Sequence, residues 1–198
     1  MTFINTISEQ DAQGLALEQY TDAKANLGYV PNYIQTFSLR PEVYDAWTEL
    51  ISSIRSKMRL RRYELVTFAA AMEMKCTYCM LAHGAVLRKN FFSAEQLLSL
   101  VKDFHNAGLA PEEVTLMTFA QKIIRNAHSV TGEDVEGLRR IGLSDEDILN
   151  VVLAVTARSF FSKTLDALNA VPDPVYHDLE PELVQALAAG RPFPPQSG

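Results

Sequence analysis

The 198-residue sequence predicts an all-α fold, on three observations. Capping-type pairs open segment after segment: Ser8 with Asp11, Ser93 with Gln96, Thr131 with Asp134 and Ser144 with Asp147. Residues that start and stop helices punctuate the apolar runs, with Pro41 and Pro111 at first turns and Gly28, Gly108 and Gly142 after last ones. No stretch combines β-branched alternation with hairpin turn residues.

Taken in order, the first helix is expected over 8–26, opened by Ser8 and stopped by Gly28. A short one follows over 31–38. Pro41 starts the next, over 41–56, where Tyr44, Trp47 and Leu50 share a face suited to the core or to a subunit interface. Helices over 61–75 and 77–90 come next, then 93–106, 111–127 and 131–140. The clearest segment is 144–170, in which Ile148, Val151, Val152, Val155, Phe160 and Leu165 alternate with polar positions. Arg158 and Asp166 are assigned to its solvated face. Val171-Pro172-Asp173-Pro174 stops that helix, and a short one is expected near 180–189. The tail Gly190-Arg191-Pro192-Phe193-Pro194-Pro195-Gln196-Ser197-Gly198 cannot hold a helix and reads as an extended arm. No linker or internal repeat divides the chain, so one domain over 1–198 is expected, ending in a C-terminal arm over 173–198.

Composition narrows the function. With 18 Lys and Arg against 24 Asp and Glu, the net charge of −6 disfavours nucleic acid or an anionic membrane as the main partner. The basic run Arg55-Ser56-Lys57-Met58-Arg59-Leu60-Arg61-Arg62 reads as a solvated inter-helix link. No apolar run reaches the roughly 18 to 20 residues of a membrane span, and Glu9 and Asp11 follow the short apolar N-terminal patch too closely for a signal peptide. A cytoplasmic location is the expectation, where a two-cysteine motif is catalytic or metal-binding more often than a structural staple.

The chemistry concentrates in Cys76-Thr77-Tyr78-Cys79-Met80-Leu81-Ala82-His83, which holds both cysteines of the chain. Residues three and four apart share one helix face, so both sulfurs and the imidazole fall on one surface. A thiol reacts as its thiolate and needs a nearby group to take the proton; His83 supplies one. Three readings compete: two small buried hydrophobes with a core histidine, a metal site, and thiol redox chemistry. Zinc needs a fourth ligand for a closed site, and His105, His128 and His177 are single and scattered, so no metal and no cofactor are expected. Glu64 lies twelve residues before Cys76. A continuous helix separates the two by about 18 Å, but a chain reversal near Lys75 to Thr77 makes an antiparallel pair that brings Glu64 towards His83. No Gly or Pro marks that corner.

The pattern Glu64, eleven residues, Cys76-x-Tyr-Cys79, three residues, His83 resembles alkylhydroperoxidase D-like members of the carboxymuconolactone decarboxylase family, most of all their peroxidase-related branch. Gly142-Leu143-Ser144-Asp145-Glu146-Asp147-Ile148 and Phe160-Phe161-Ser162-Lys163 extend the resemblance, which covers roughly residues 30 to 172. It implies a compact multi-helix bundle with the CxxC at a helix start. It also implies that Cys79 meets a hydroperoxide and becomes a sulfenic acid, that Cys76 condenses with it to a disulfide, and that His83 and Glu64 relay the proton. An external small dithiol or redox protein would regenerate the pair, and a homo-oligomer, trimer or hexamer, is implied. Founding members carry histidine where Tyr78 stands; tyrosine cannot shuttle protons near neutrality but can donate a hydrogen bond. Phe68, Met72, Met80 and Leu81 are expected to favour an organic hydroperoxide, with Met72, Met74 and Met80 as gap-filling packing. The dipole at the helix start, up to about 2 kcal/mol, is outweighed by general-base help of about 10²–10⁴-fold, so Cys79 is expected to react and Cys76 to be the exposed partner. The alternatives are a redox-sensing or structural oligomer without turnover, and a decarboxylase-type enzyme that does not use the cysteines.

Overall fold

The computed structural model describes residues 2–193. The expected extended arm lies partly outside them, at 194–198. Among the described residues there are ten α-helices and no strand: α1 (Gly14–Leu27), α2 (Asn32–Thr36), α3 (Pro41–Arg55), α4 (Leu60–Met74), α5 (Thr77–Asn90), α6 (Ala94–Asp103), α7 (Pro111–Asn126), α8 (Gly132–Arg140), α9 (Asp145–Ala167) and α10 (Pro181–Leu187). Single 3₁₀ turns follow α6 and α7, and another spans Pro174–Asp178.

Three of the four expected caps form. Ser93, Thr131 and Ser144 accept from the backbone N–H of Gln96, Asp134 and Asp147, and each partner side chain returns a bond to the cap, worth about 1 kcal/mol apiece. The fourth does not. Ser8 and Asp11 close a local turn, and α1 begins only at Gly14, whose φ of 53° is incompatible with a helix running through it from residue 8.

Helix α4 is the axis of the bundle. Every residue from Tyr63 to Ala71 is buried, and α5, α7 and α9 pack around it. Helix α7 contributes Leu116, Met117, Phe119, Ala120 and Ile123 to this core, and α9 contributes Ile148, Val151, Ala154, Val155 and Leu165. Helix α10 lies across α5 and α6, with Leu187 seated so closely on Gly84 that a Cβ there would meet its side chain at 2.8 Å. Helices α1 and α2 make a smaller cluster of Tyr20, Ala23, Val30 and Ile34.

Two expectations change on α9. By length and composition it is apolar enough to cross a membrane, which the sequence reading did not find; half of that stretch is buried inside the bundle. Arg158 and Asp166 are not on a solvated face. Arg158 is buried, and Asp166 is half-buried beside Cys76. The helix stops at Ala167, before Val171, because Asn169 takes a left-handed φ of 56°.

Candidate active site

The corner between α4 and α5 sets the site. It is closed by Lys75, in the left-handed region at φ 55°, with the N–H of Lys75 bonded to Met72 O (3.0 Å) and that of Cys76 to Ala71 O (3.1 Å). This is a Schellman closure with lysine where glycine is usual, at a cost of about 1–2 kcal/mol. The reversal makes α4 and α5 antiparallel neighbours and leaves Cys76 as the N-cap of α5, with Cys79 one turn further in.

That corner brings Glu64 and His83 into direct contact. Both are buried, and His83 Nδ1 lies 2.7 Å from Glu64 Oε2, with Thr67 Oγ1 at 3.3 Å. A carboxylate only accepts, so Nδ1 carries the proton and Nε2 is the basic nitrogen. His83 and Cys79 both line a cavity of about 260 Å³, together with Tyr33, Tyr44, Trp47, Tyr63, Tyr78 and Phe161, and with Arg55 and Arg158. Cys76, Cys79, His83 and Glu64 are thus gathered at one place.

The two thiols are unequal, and Ser162 of α9 divides them. Its hydroxyl donates to Cys79 Sγ at 3.0 Å, which favours the thiolate. Its backbone carbonyl lies 3.8 Å from Cys76 Sγ and accepts that S–H, which favours the thiol. The one S–H of Cys76 is shared between that carbonyl and the Cys79 sulfur. These hydrogen bonds, first that of Cys76 and then the charges of Arg158 and His83 with the Ser162 hydroxyl, outweigh burial and hold the Cys79 thiol well below the usual thiol range. Arg158 Nη1 stands 3.8 Å from that sulfur. Cys76 moves the opposite way, pushed up by its donation to Cys79 and by burial.

Several expectations are corrected here. Cys76 is not the exposed cysteine: it is 0% exposed and Cys79 is 2% exposed. Ser162 and Asp166 of α9 lie against Cys76, and the C-terminal segment is tied to the next residue, where Gly190 N donates to Thr77 Oγ1 (3.0 Å) and Thr77 Oγ1 donates to Arg191 O (2.8 Å). Tyr78 does not serve the cysteines. Its hydroxyl donates to Asp173 Oδ2 and accepts from Tyr33 N–H at 3.2 Å, pinning the segment after α9, and burial with the Asp173 charge keeps it protonated. Phe68, Met80 and Leu81 belong to the core, and the cavity wall is aromatic instead. Trp47 forms part of it, stacked on Phe161 at 4.0 Å, while Leu50 is exposed. The basic run is not a simple solvated link: Arg55 lines the cavity, and Arg61 and Arg62 pair with Glu113 and Asp147.

Sequence reasoning gave no role to Arg158 and Ser162. They stand 79 and 83 residues after Cys79, and on an apolar helix the one visible signal was a buried-period position occupied by arginine.

The structure is thus an all-α bundle whose central helix pair brings Cys79, His83 and Glu64 to one cavity, with Cys76 one turn before Cys79. Residues 41–122, from α3 into α7, match the Carboxymuconolactone decarboxylase family. That stretch holds Glu64, Cys76, Cys79 and His83, and over it the chain is similar to this family. No curated protein matches it in sequence. Among solved structures it is similar to the peroxidase-related protein with an alkylhydroperoxidase AhpD core from Ralstonia eutropha JMP134 (TM-score 0.74, 22% identity, 87% of this chain and 96% of that one). It is similar also to a peroxidase-related protein from Silicibacter sp. TM1040 (0.75, 22%, 88% and 90%). The debrominase Bmp8 shares the fold as well (0.74, 15%, 94% and 98%), so activities differ among proteins of this shape.

Proposed function

We propose that this protein is a thiol peroxidase in which Cys79 is the attacking sulfur. The observation that carries the reading is the division of the cysteine pair by Ser162: the donor side meets Cys79 and the acceptor side meets Cys76. A nucleophilic thiolate and a protonated partner are what a two-cysteine peroxide reduction requires.

The steps follow from the groups present. When Cys79 starts as a thiol, His83 Nε2 takes its proton, and Glu64 on Nδ1 stabilises the resulting imidazolium. The thiolate attacks one oxygen of the hydroperoxide, the O–O bond breaks, and Cys79 becomes a sulfenic acid. The departing alkoxide takes the proton from His83 and leaves as the alcohol. Cys76 sulfur then attacks Cys79 sulfur. The S–S bond forms, the S–O bond breaks, and the Cys76 proton leaves with the hydroxide as water. An external dithiol reduces the disulfide and restores both thiols. Oxidation of a buried Cys76 and its later reduction require the 188–193 segment to open.

The test is steady-state consumption of an organic hydroperoxide with dithiothreitol as reductant. Many turnovers per subunit are expected in the wild type, and single-turnover or no consumption in Cys79→Ser. Oxidation that stops after one equivalent would make the pair a sensor. Full activity in the Cys76→Ser, Cys79→Ser double variant would leave a cysteine-independent decarboxylase-type reaction.

A second reading rests on the aromatic cavity. A related structure is that of the debrominase Bmp8 with 2,3,4-tribromopyrrole. The same pair could deliver two electrons to a small brominated ring: both thiols become one disulfide, bromide leaves, and the ring carbon takes a proton. Bromide release from 2,3,4-tribromopyrrole, with no hydroperoxide consumption, would favour it.

A further inference from the structure

Two side chains that line the cavity beside Cys79 carry a buried nitrogen donor that no described residue satisfies: Trp47 Nε1 and Arg158 Nε are the buried side-chain nitrogen and oxygen atoms without a hydrogen-bond partner among the described residues. Both side chains line this one cavity. A buried donor left unmade costs about 1–3 kcal/mol, and two in one place mark a position where an acceptor belongs. Arg158 is the stronger case. It is buried, its Nη1 is turned to Cys79 at 3.8 Å, and its guanidinium carbon lies 5.7 Å from the Trp47 ring centroid and 5.5 Å from that of Phe161. The sulfur therefore occupies one part of the guanidinium and leaves the Nε side unspent.

The walls define the rest of the ligand. Tyr33 sits 5.8 Å edge-on from Phe161, and Trp47 stacks between Phe161 and Tyr44 at 4.0 and 6.3 Å. A volume of about 260 Å³ is below the roughly 300–1,000 Å³ of sites for drug-sized ligands, so it suits one ring and its substituents. Charge completes the description. Arg158 and Arg55 both line the cavity, while the Glu64 charge is engaged by His83 at 2.7 Å.

We propose that this cavity binds a single-ring aromatic compound bearing a carboxylate, with the carboxylate taken by Arg158 Nε and Trp47 Nε1 and the ring held among Trp47, Phe161 and Tyr33. The proposal rests on reading the cavity as the substrate site. In the peroxidase reading it narrows the substrate to hydroperoxides carried on such an aromatic acid, with the carboxylate orienting the peroxide towards Cys79.

Isothermal calorimetry on the full-length protein with benzoate, benzyl alcohol and cyclohexanecarboxylate tests it. Benzoate should bind at least about tenfold tighter than benzyl alcohol, as charge-assisted hydrogen bonds imply, and tighter than the non-aromatic acid. Arg158→Gln should remove the preference for benzoate over benzyl alcohol. Arg158→Lys, which keeps the charge and loses the planar fork, should remove most of it. Trp47→Phe should weaken benzoate about fivefold more than it weakens benzyl alcohol, the value of one neutral hydrogen bond. Equal affinity of the wild type for benzoate and benzyl alcohol, or no detectable benzoate binding, overturns the proposal whether or not the variants fold. So does an Arg158→Gln protein, folded by circular dichroism, that binds benzoate as the wild type does. Peroxide turnover in the same preparation separates the two readings. Benzoate selectivity without turnover keeps this site and removes the peroxidase, and turnover without selectivity does the reverse.

Discussion

Removal of one hydroxyl, in Ser162→Ala, should raise the pKa of Cys79 while leaving Cys76 where it is. The Ser162 hydroxyl reaches Cys79 Sγ at 3.0 Å, and Cys76 uses the backbone carbonyl at 3.8 Å, which the substitution retains. A hydrogen bond to a charged group is worth about 1.5–3 kcal/mol, and a pKa unit corresponds to about 1.36 kcal/mol. The Cys79 pKa should therefore rise by about one to two units. At pH below the original pKa the thiolate fraction falls about 10- to 100-fold, but the more basic thiolate is more nucleophilic, with a Brønsted coefficient of about 0.4–0.5. The net loss in hydroperoxide reactivity at that pH is about 3- to 10-fold, and it vanishes as pH rises through the new pKa. Ultraviolet thiolate absorbance against pH, in Cys76→Ser and in the same protein with Ser162→Ala, reads the shift on Cys79 alone. An unchanged or lowered pKa would show that the hydroxyl does not donate to the thiolate, and the division of the pair by Ser162 would fall.

Other outcomes follow from the same geometry. Glu64→Gln removes the charged partner of His83 at 2.7 Å and should slow Cys79 oxidation by about 10²-fold, the lower end of general-base contributions; stopped-flow sulfenic-acid trapping measures it, and a wild-type rate would separate the carboxylate from the chemistry. With pH, the Cys79 thiol, lowered in the folded state, contributes stability above its unfolded pKa and loses it as pH falls through the folded value. Cys76, raised, contributes stability below its unfolded pKa and loses it as pH rises beyond. Labelling of Cys79 should therefore inflect below the usual thiol value of about 8.5, and mass spectrometry should find no such inflection for Cys76. In Gly190→Ala the new Cβ would stand 1.9 Å from Lys75 O, so the C-terminal segment must lift; alkylation of Cys76 should accelerate about tenfold, equivalent to about 1.4 kcal/mol of easier opening, and an unchanged rate would mean that another element covers it. Leu149, Leu153 and Phe160 expose an apolar stripe on α9, which we expect a second copy to cover. Light scattering should find a homo-oligomer that Leu153→Lys with Phe160→Lys dissociates, and a wild-type monomer at micromolar concentration would refute it.

The parts of this protein that were readable from sequence are those written locally. The helix boundaries at Ser93, Thr131 and Ser144 follow from side chains three residues apart, and the CxxC with His83 is a single-helix pattern. What escaped depended on contacts distant in the chain or on backbone conformation. Lys75 closes the α4–α5 corner in a left-handed conformation that no propensity assigns to lysine, so the antiparallel pairing of Glu64 with His83 had a geometry but no visible hinge. Cys76 looks exposed at a helix start, but it is buried in the folded chain, where Gly190 reaches back 113 residues to the neighbouring Thr77. Arg158 reads as surface because arginine usually is; only the folded bundle places it against the Cys79 sulfur.

This division of labour has a chemical consequence. The family match spans 41–122 and carries Cys76, Cys79, His83 and Glu64, which the proposed chemistry uses. Arg158 and Ser162 lie outside that stretch, on α9, where both add to the lowering of Cys79, and Arg158 with Phe161 forms one side of its cavity. Trp47, on α3 within the match, supplies the facing wall. A bundle built this way can keep its proton relay on α4 and α5 while α9 changes what the thiolate meets. The identity of the substrate here should therefore respond to substitutions on α9 and at Trp47, whereas Glu64 and His83 should govern the rate for every substrate alike.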